Sequence, residues 1–338
     1  MQQTPITSIK TPGYRRRKLA RAILSWHSIK PLVMSRPDAI RIVCVSDTHN
    51  KQPELPPGDV LIHAGDLTEN GSFDEVQAGL TWLSSQPHPF KILIAGNHDV
   101  LLDEAFLQKY PERRYGSSKT KANLDWGDVI YLEDSSITLD SGYPQSDPNP
   151  NPNPNLTTTT TRKITVYGSP WTPRYGISAY QYPPLSTAGE DHWSSSLSYL
   201  PNTITPPTTA DSDLIIATHG PPKLHLDRRD IHQAGCPYLL SQVFRLRPRL
   251  HVFGHIHVAH GRQDVVLDGV RQAHDRVQMG WGGWSTLARM AVLVLWAKLT
   301  RGGLVRTRTR TRTTTFVNAS AVGGRNNELV HQPIVVEI

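Results

Sequence analysis

The sequence predicts an α/β protein built around a largely parallel β-sheet. Five short apolar runs along the 338-residue chain each end, within a residue or two, in aspartate, histidine or a glycine that precedes such residues. The first of these runs follow the order strand, strand, helix, strand, which is typical of βαβ units. Ligands of open α/β sheets bind beyond the carboxyl ends of the strands, so we expect the five polar endings to meet at one rim.

The predicted core begins at Ile40. Apolar runs at 42–45 and 60–63 predict two strands, which lead into the segments SDTHN and AGDLTENG. Apolar residues at helical spacing predict a helix over 73–84. Its first turn has two acidic residues, which interact favourably with the positive end of the helix dipole. The apolar run before GNHD is the next predicted strand, and a second helix is predicted over 101–110.

The second part of the core is predicted to contain further strands around a low-complexity insert. Runs at 129–132 and 137–139 predict a strand pair around the turn LEDSS. The insert at 144–162 consists of Asn-Pro repeats and threonines, and it predicts a surface loop because alternating prolines without apolar residues do not pack. Beyond it we expect a helix over 237–245 and three strands, at 164–167, 214–217 and 250–253.

The predicted domains are a flexible basic arm over 1–39 and one catalytic domain over 40–338. The domain contains the insert at 144–162 and a second insertion at 269–315, in which one helix is predicted over 285–299. The segments TFVNAS and PIVVEI then return to strand character. The arm is interpreted either as a disordered basic tail or as a basic amphipathic helix for mitochondrial targeting, nuclear import or contact with a membrane surface.

The charge and cysteine content limit the possible partners and compartment. The net charge of +7 arises largely from the basic arm and from the tract RTRTRTRTTT, so it does not indicate that the core binds nucleic acid. Contact of these basic segments with nucleic acid or a membrane surface stays open. Two cysteines cannot form a disulfide framework, and no apolar run approaches the ~20 residues of a membrane-spanning helix. We expect a cytoplasmic protein, with mitochondrial or nuclear targeting left open.

The polar strand ends contain the ligand types of a binuclear metal centre. Two metal ions ~3.5–4 Å apart can activate water and stabilise both oxygens of an in-line phosphoryl displacement. Mixed carboxylate, amide and imidazole ligands suit Mn, Fe, Zn or Ni better than Ca or Mg. Each residue alone has a structural explanation as a turn former, cap or surface histidine, but together they predict two divalent metal ions. The candidate ligands are Asp47, His49, Asp66, Asn97, His219, His255 and His257.

The motifs D-x-H, G-D, G-N-H-D, H-G and G-H-x-H occur in this order, all at predicted strand ends. This pattern resembles the calcineurin-like metallophosphoesterase superfamily over about residues 40–260, with a closing strand near Asn318. The resemblance implies a four-layer α/β/β/α architecture, in which a sandwich of two β-sheets is flanked by helices. It also implies a ligand division. Asp47, His49 and His257 would hold one metal, Asn97, His219 and His255 the other, and Asp66 would bridge them.

The same resemblance implies the catalytic roles. A hydroxide bridging the metals would attack the phosphoester, while His98 would stabilise the phosphoryl oxygens or protonate the leaving group. Asp99 would orient His98 by a hydrogen bond, and a neighbouring carboxylate can raise a histidine pKa enough to keep that proton available. Asn97 is neutral and would leave its metal more electrophilic.

Sequence differences within the superfamily favour a phosphodiesterase. Protein phosphatases of the superfamily have G-N-H-E and an Arg-Gly shortly after the second aspartate, whereas this chain has Asp99 and GDLTENG. The segments GSPWTPRYG and AGCPYLL resemble the metallophosphoesterase-domain (brain protein 239) group and its fungal relatives, which implies small diesters such as cyclic nucleotides as substrates. Trp171, Arg174 and Tyr175 are candidate substrate contacts. The alternatives are a phosphomonoesterase, a nuclease and a noncatalytic metal-binding scaffold.

Overall fold

The computed structural model describes residues 13–27, 39–144, 161–183, 188–198, 212–229, 232–299 and 313–338. Most of the predicted insert at 144–162, most of the arm and the Arg-Thr tract lie outside these residues. The described α-helices are α1 Tyr14–Trp26, α2 Phe73–Ser84, α3 Glu104–Lys109, α4 Ala188–Ser196, α5 Pro237–Leu246, α6 Gly269–Met279 and α7 Trp284–Leu299.

The strands of the described chain are β1 Arg41–Val45, β2 Val60–Ala64, β3 Phe90–Ile94, β4 Val129–Tyr131, β5 Ser135–Pro144, β6 Thr161–Ser169, β7 Thr172–Pro173, β8 Gln181–Tyr182, β9 Ser212–Thr218, β10 Arg228–Arg229, β11 His232–Gln233, β12 Leu250–Phe253, β13 Gly261–Val266, β14 Thr313–Asn318, β15 Val322–Gly323, β16 Glu328–Leu329 and β17 Ile334–Glu337. The central strands, such as β2 and β12, are fully buried, whereas β10, β11 and β16 are exposed.

The chain divides into two compact units. The smaller unit consists of Met1–Pro31 and Val266–Arg312, and the larger unit consists of Leu32–Val265 and Thr313–Ile338. The domain boundaries predicted from the sequence stay predictions.

The larger unit contains two sheets that share one core. Sheet A has the strand order β17-β1-β2-β3-β4, and sheet B has the order β13-β14-β12-β9-β6-β5. In sheet A, β1 to β4 are parallel and β17 is antiparallel to β1. In sheet B, β6, β9, β12 and β14 are parallel and β5 is antiparallel to β6. This arrangement brings the carboxyl ends of the central parallel strands of each sheet to a common edge.

Side chains alternate between the two faces of each strand, and this alternation builds the layers. Ile42 and Cys44 of β1 pack in one cluster with Ile215 of β9 and Val252 of β12, between the sheets. The intervening residues of β1 belong to a second cluster that contains Val76, Leu80 and Leu83 of α2, on the outer face of sheet A. Both faces of β1 are therefore buried, which explains its uninterrupted apolar sequence. The α/β class and the two-sheet sandwich with flanking helices are confirmed.

The expected pairing of strands near 129–132 and 137–139 is wrong. β4 pairs with β3 in sheet A, whereas β5 pairs with β6 in sheet B. The intervening turn carries the chain from one sheet to the other, with Asp134 in the left-handed region at φ 45°. Leu132 is buried between the sheets, where a Cβ at Gly168 would lie 2.5 Å from the Leu132 Cβ. The close packing of the two sheets thus replaces the local hairpin that the sequence suggests.

The smaller unit is a cluster of three helices, α1, α6 and α7. Ala20 of α1, Ala273 of α6 and Met290 of α7 are buried in a common apolar core. The sequence predicted only the last of these helices within the insertion at 269–315. Helix α6 was missed because its buried stripe relies on alanine and valine, and its N-terminus is capped by the Asp268 side chain, which accepts a hydrogen bond from the Arg271 backbone N–H.

Candidate metal centre

Sheet A supplies the acidic side of the candidate site. β1 leads into Asp47 and His49, β2 leads into Asp66, and β3 leads into Asn97. Asp47, His49 and Asp66 have positive φ angles of 51°, 45° and 52°. Such left-handed backbone is unfavourable for residues with a side chain and is concentrated at functional sites.

Sheet B supplies imidazoles at the same rim. β9 leads into His219, and β12 leads through Gly254 into His255 and His257. The backbone N–H of His255 donates to both carboxylate oxygens of Asp47, each 3.0 Å away. Glycine is required at position 254 because a Cβ there would lie 1.9 Å from Asp47 Oδ2. A direct backbone contact therefore joins the ends of the two sheets.

All seven predicted ligands lie in two adjoining groups. The donor atoms of Asp47, His49 and His257 lie within 4.8 Å of one another, and so do those of Asp66, His219 and His255. Asn97 Oδ1 is 3.0 Å from His219 Nε2, which places the amide in the second group. Asp66 Oδ2 is 3.2 Å from His219 Nε2 and 3.9 Å from His49 Nε2, so this carboxylate lies between the two groups.

The buried charges of the site stabilise one another across the sheets. Burial alone would raise the pKa of Asp47, but the hydrogen bond and charge of His257 hold it below its usual range. Burial lowers the pKa of His219, yet the neighbouring Asp66 outweighs it and raises that pKa to about 9. Burial and the charge of His219 lower the pKa of His255 to about 3. The site therefore combines buried carboxylates with at least one imidazole that is neutral at neutral pH.

The residues present fit the binding of divalent cations. The Nε2 atom of His49 is buried without a hydrogen-bond partner, and the His49 side chain is only 1% exposed. A buried polar group without a partner is costly and points to a missing ligand. A carboxylate oxygen of Asp47 lies within 4.8 Å of a His49 ring nitrogen, and Asp66 Oδ2 lies 3.9 Å from His49 Nε2. This mixed donor set suits borderline transition metals.

The predicted hydrogen bond from Asp99 to His98 is wrong. The buried Asp99 carboxylate instead accepts bonds from the backbone N–H groups of Gly96, Leu67 and Thr68 and from the Thr68 hydroxyl. By accepting these four hydrogen bonds, the Asp99 carboxylate links the loop that follows β2 to the loop that follows β3. Burial and the charge of Asp66 raise the pKa of Asp99 to about 6.

Glu69 is a residue of the site that the sequence did not single out. Its backbone carbonyl lies 2.6 Å from Nδ1 of His98, and because a carbonyl only accepts, Nδ1 holds the proton. Its carboxylate Oε2 lies 3.3 Å from Nδ1 of His49 and accepts a 3.0 Å hydrogen bond from Asn327. The sequence feature that could have identified Glu69 is its position in the same strand-end loop as Asp66. Ser320, also missed, follows β14, and its Oγ lies 2.9 Å from Asp47 Oδ2.

The three candidate substrate contacts differ in their surroundings. Tyr175 is 55% exposed, and its ring centre lies 5.0 Å from that of His255, so this side chain borders the site. Arg174 is exposed on the same loop. Trp171 is only partly exposed, because its indole N–H donates to Asp134 and its ring contacts those of Tyr180 and His192. Trp171 therefore anchors the loop on which Arg174 and Tyr175 are exposed.

A two-sheet sandwich with aspartate, asparagine and histidine at adjoining strand ends is the architecture of a metallophosphoesterase domain. The family model described as calcineurin-like phosphoesterase matches residues 40–259, and the chain belongs to this family. The resemblance noted in the sequence is thereby confirmed.

Named relatives also support the metallophosphoesterase-domain group. Metallophosphoesterase domain-containing protein 1 of Homo sapiens is 36% identical over 249 residues, covering 69% of this chain and 64% of that protein. A UPF0046 protein of Caenorhabditis elegans is 30% identical over 228 residues, covering 66% of this chain and 65% of that protein. A "Probable rhamnogalacturonate lyase C" of Emericella nidulans is 36% identical over 304 residues. That alignment covers 88% of this chain but 24% of the relative, so the chain spans about a quarter of that protein's length.

Among the described residues, no helix combines the length and the apolar character that crossing a membrane requires. The cytoplasmic location stays a prediction.

Proposed function

We propose that the protein is a metal-dependent phosphodiesterase that hydrolyses small phosphodiesters. The observation that supports this most strongly is the position of the Asp66 carboxylate between two groups of ligand side chains, contributed by two different sheets. In this proposal Asp47, His49 and His257 would hold one metal, Asn97, His219 and His255 would hold the other, and Asp66 would contribute to both. Divalent Mn, Fe, Zn or Ni would supply Lewis acidity that polarises the phosphoryl group and activates water.

His98 is the proposed general acid. The Glu69 carbonyl fixes the proton on Nδ1 of His98, so Nε2 is the nitrogen free to exchange a proton with the leaving oxygen. Burial lowers the pKa of His98, but the charge of Asp66 and the Glu69 carbonyl raise it above the usual value, so the protonated form is available near neutral pH. Asp99 contributes by holding the His98 loop, not by contacting the ring.

The charge around the site favours diesters over monoesters. The Glu69 carboxylate is 42% exposed and lies beside His49, at the side of the site where His98 also stands. A monoester has up to two negative charges near neutral pH, whereas a diester has one, so repulsion by Glu69 disfavours the monoester more. Exposed Arg174 and Tyr175 can contact the phosphate and an aromatic group of the substrate, which is consistent with cyclic nucleotide-like diesters.

The rival functions depend on the same centre. A phosphomonoesterase or nuclease would use the same ligands with a different substrate preference. A noncatalytic scaffold would bind metal without turnover. We do not extend the lyase name to this chain, because the chain covers 24% of the protein that has that name.

The first experiment compares metal content and bis-p-nitrophenyl phosphate hydrolysis in wild type and Asp66→Asn after reconstitution with Mn. We expect about two metals per wild-type chain. We also expect turnover to fall about a thousandfold or more in the variant, as for other residues that act as a unit. Asp74→Asn is the matched control, since Asp74 is exposed on α2. His98→Ala should lose turnover while retaining metal.

Substrate comparison separates the rivals. Wild type should hydrolyse 2′,3′- and 3′,5′-cyclic AMP with a higher kcat/KM than p-nitrophenyl phosphate. A higher value for the monoester would replace the diesterase by a monoesterase, and cleavage of DNA or RNA with greater efficiency would indicate a nuclease. Metals bound without any turnover would establish the scaffold.

A further inference from the structure

We propose that the three-helix unit of α1, α6 and α7 binds the surface of an anionic lipid membrane. The first observation is an apolar face on α7 that the unit does not bury. Val292, Leu295 and Leu299 are 63%, 62% and 63% exposed, and their spacing places them on one side of the helix. Leu287 and Met290 on the other side of α7 form the core of the unit. The helix is therefore apolar on two faces, and one of them meets solvent.

Tryptophans with adjacent cations stand at both ends of this face. At the C-terminal end, Trp26 is 69% exposed and the Lys298 ammonium lies 5.8 Å from the centre of its ring. At the N-terminal end, Trp284 is 62% exposed and follows Gly283. The Arg16 guanidinium reaches that turn, 3.9 Å from where a Gly283 Cβ would be. Tryptophan and long basic side chains are the residues that favour the boundary between lipid headgroups and acyl chains.

The unit is strongly basic on its surface. Residues 13–27 include five basic side chains and no acidic one. In the described part of the unit the acidic side chains are Asp268 and Asp275, and both are bonded within it. Asp268 contacts His27, while Asp275 contacts Arg271 and His274. With basic side chains outnumbering these two acids, the described residues of the unit carry a net positive charge, which complements an anionic surface.

The combination of features selects lipid over the other partners. A nucleic acid would be held by the basic side chains, but it would leave Val292, Leu295 and Leu299 in water. A bilayer surface with anionic headgroups accepts both, because the aliphatic side chains enter the headgroup boundary and the basic side chains contact phosphate. Helix α7 has 16 residues, and no described helix is able to span the bilayer, so this contact is interfacial.

The test is sedimentation of the full-length protein with vesicles of phosphatidylcholine alone or with 30% phosphatidylserine. Wild type should bind the anionic vesicles, and its affinity should fall as salt is raised. Leu295→Ser/Leu299→Ser and, separately, Arg15→Glu/Lys18→Glu should each weaken binding about tenfold or more. The matched control is Leu329→Ser/Val330→Ser, which replaces two exposed apolar residues of the larger unit. Thermal unfolding of each variant shows whether it remains folded.

A measurement on wild type keeps the test valid if a variant unfolds. Brominated lipids in the anionic vesicles should quench part of the tryptophan fluorescence, because Trp26 and Trp284 would lie at the acyl boundary. The proposal is overturned if wild type does not bind anionic vesicles or shows no quenching. It is also overturned if Leu295→Ser/Leu299→Ser binds anionic vesicles as well as wild type. If wild type does not bind vesicles and this variant converts a dimer to monomers, the apolar face is instead an interface between two copies of the chain. Binding of random-sequence DNA in preference to the vesicles would equally reject it.

Discussion

The two sheets of the larger unit make different contributions to the same site. Sheet A ends in the carboxylates and the amide, and its residues Asp47 and Asp66 have left-handed backbone. Sheet B ends in imidazoles, of which His219 is fully buried and His255 is partly buried. The carboxylates of sheet A would be buried without a cationic partner if sheet B were absent, and the buried imidazoles of sheet B would lack an anionic partner if sheet A were absent. When the two sheets pack together, the buried charges are paired, because His257 contacts Asp47 and His219 contacts Asp66 across the boundary.

This comparison shows that the site depends on how the sheets meet. At this boundary the segment Gly254–His255 lies against Asp47, and the His255 backbone N–H donates to the Asp47 carboxylate. Changes at this junction should therefore alter metal binding more than changes within either sheet.

The largest effect is expected for Gly254→Ala. The added Cβ would lie 1.9 Å from Asp47 Oδ2 and 2.1 Å from Ser46 Oγ. Relief requires Asp47 to move away from the His255 backbone N–H, so we expect loss of metal from the group of Asp47, His49 and His257. Overpacking of this kind should also cost about 3 kcal/mol of unfolding free energy. Metal analysis and urea unfolding measure the two effects.

The control for this variant is Gly176→Ala. A Cβ at Gly176 would meet no atom within 4 Å, so metal content and stability should stay near those of wild type. If Gly254→Ala kept two bound metals, the junction would not position the ligands and the contrast between the sheets would lose its functional meaning.

The sequence was informative about the strands that lead into the site. Buried parallel strands are short apolar runs, so β2, β3 and β12 could be located from composition alone, and the polar residues after them could be placed at one edge. Contacts that depend on loop geometry could not be obtained in this way. The Asp99 carboxylate illustrates this: its partners are backbone N–H groups at Gly96, Leu67 and Thr68, and the sequence gives no sign of which carboxylate a backbone N–H will meet.

Long-range choices of strand partner were also beyond the sequence. The runs at β4 and β5 are adjacent in the chain, and a local hairpin was the simplest interpretation. The actual partners are β3 and β6, and Leu132 packs closely against Gly168 in the middle of the sandwich. Glu69 was missed for a related reason, since its importance comes from the proximity of His49 and His98, not from its residue type.

An intermediate effect is expected at His251, a buried imidazole of sheet B that contacts the Thr218 hydroxyl and not a carboxylate. Its Nε2 lies 2.9 Å from the Thr218 hydroxyl, its Nδ1 is buried without a partner, and burial lowers its pKa to about 3. The unfolded chain takes up a proton near pH 6.5, whereas the folded chain does not until about pH 3. Stability is therefore lost as pH falls below 6.5, by about 3 kcal/mol at pH 4.5.

His251→Gln should remove this pH dependence. The free energy of unfolding, measured with a chelator present at pH 7.5 and 4.5, should fall less in the variant than in wild type. The chelator excludes any contribution from acid release of metal. Equal losses in the two proteins would show that His251 is not neutral in the folded state, and the contrast between imidazoles with and without carboxylate partners would fail.

The smallest effect is expected for Ser320→Ala, which removes one hydroxyl at the edge of the junction. Ser320 Oγ lies 2.9 Å from Asp47 Oδ2 and 2.8 Å from Asn318 Oδ1, while Asp47 keeps its contacts with His255 and His257. Stability should fall by about 1 kcal/mol. Metal affinity, measured by competition with a chelating dye, should fall about tenfold, as for other partners of metal ligands. Ser241→Ala on the exposed side of α5 should change neither quantity. If the two serine variants gave equal metal affinity, the segment that follows β14 would serve folding alone.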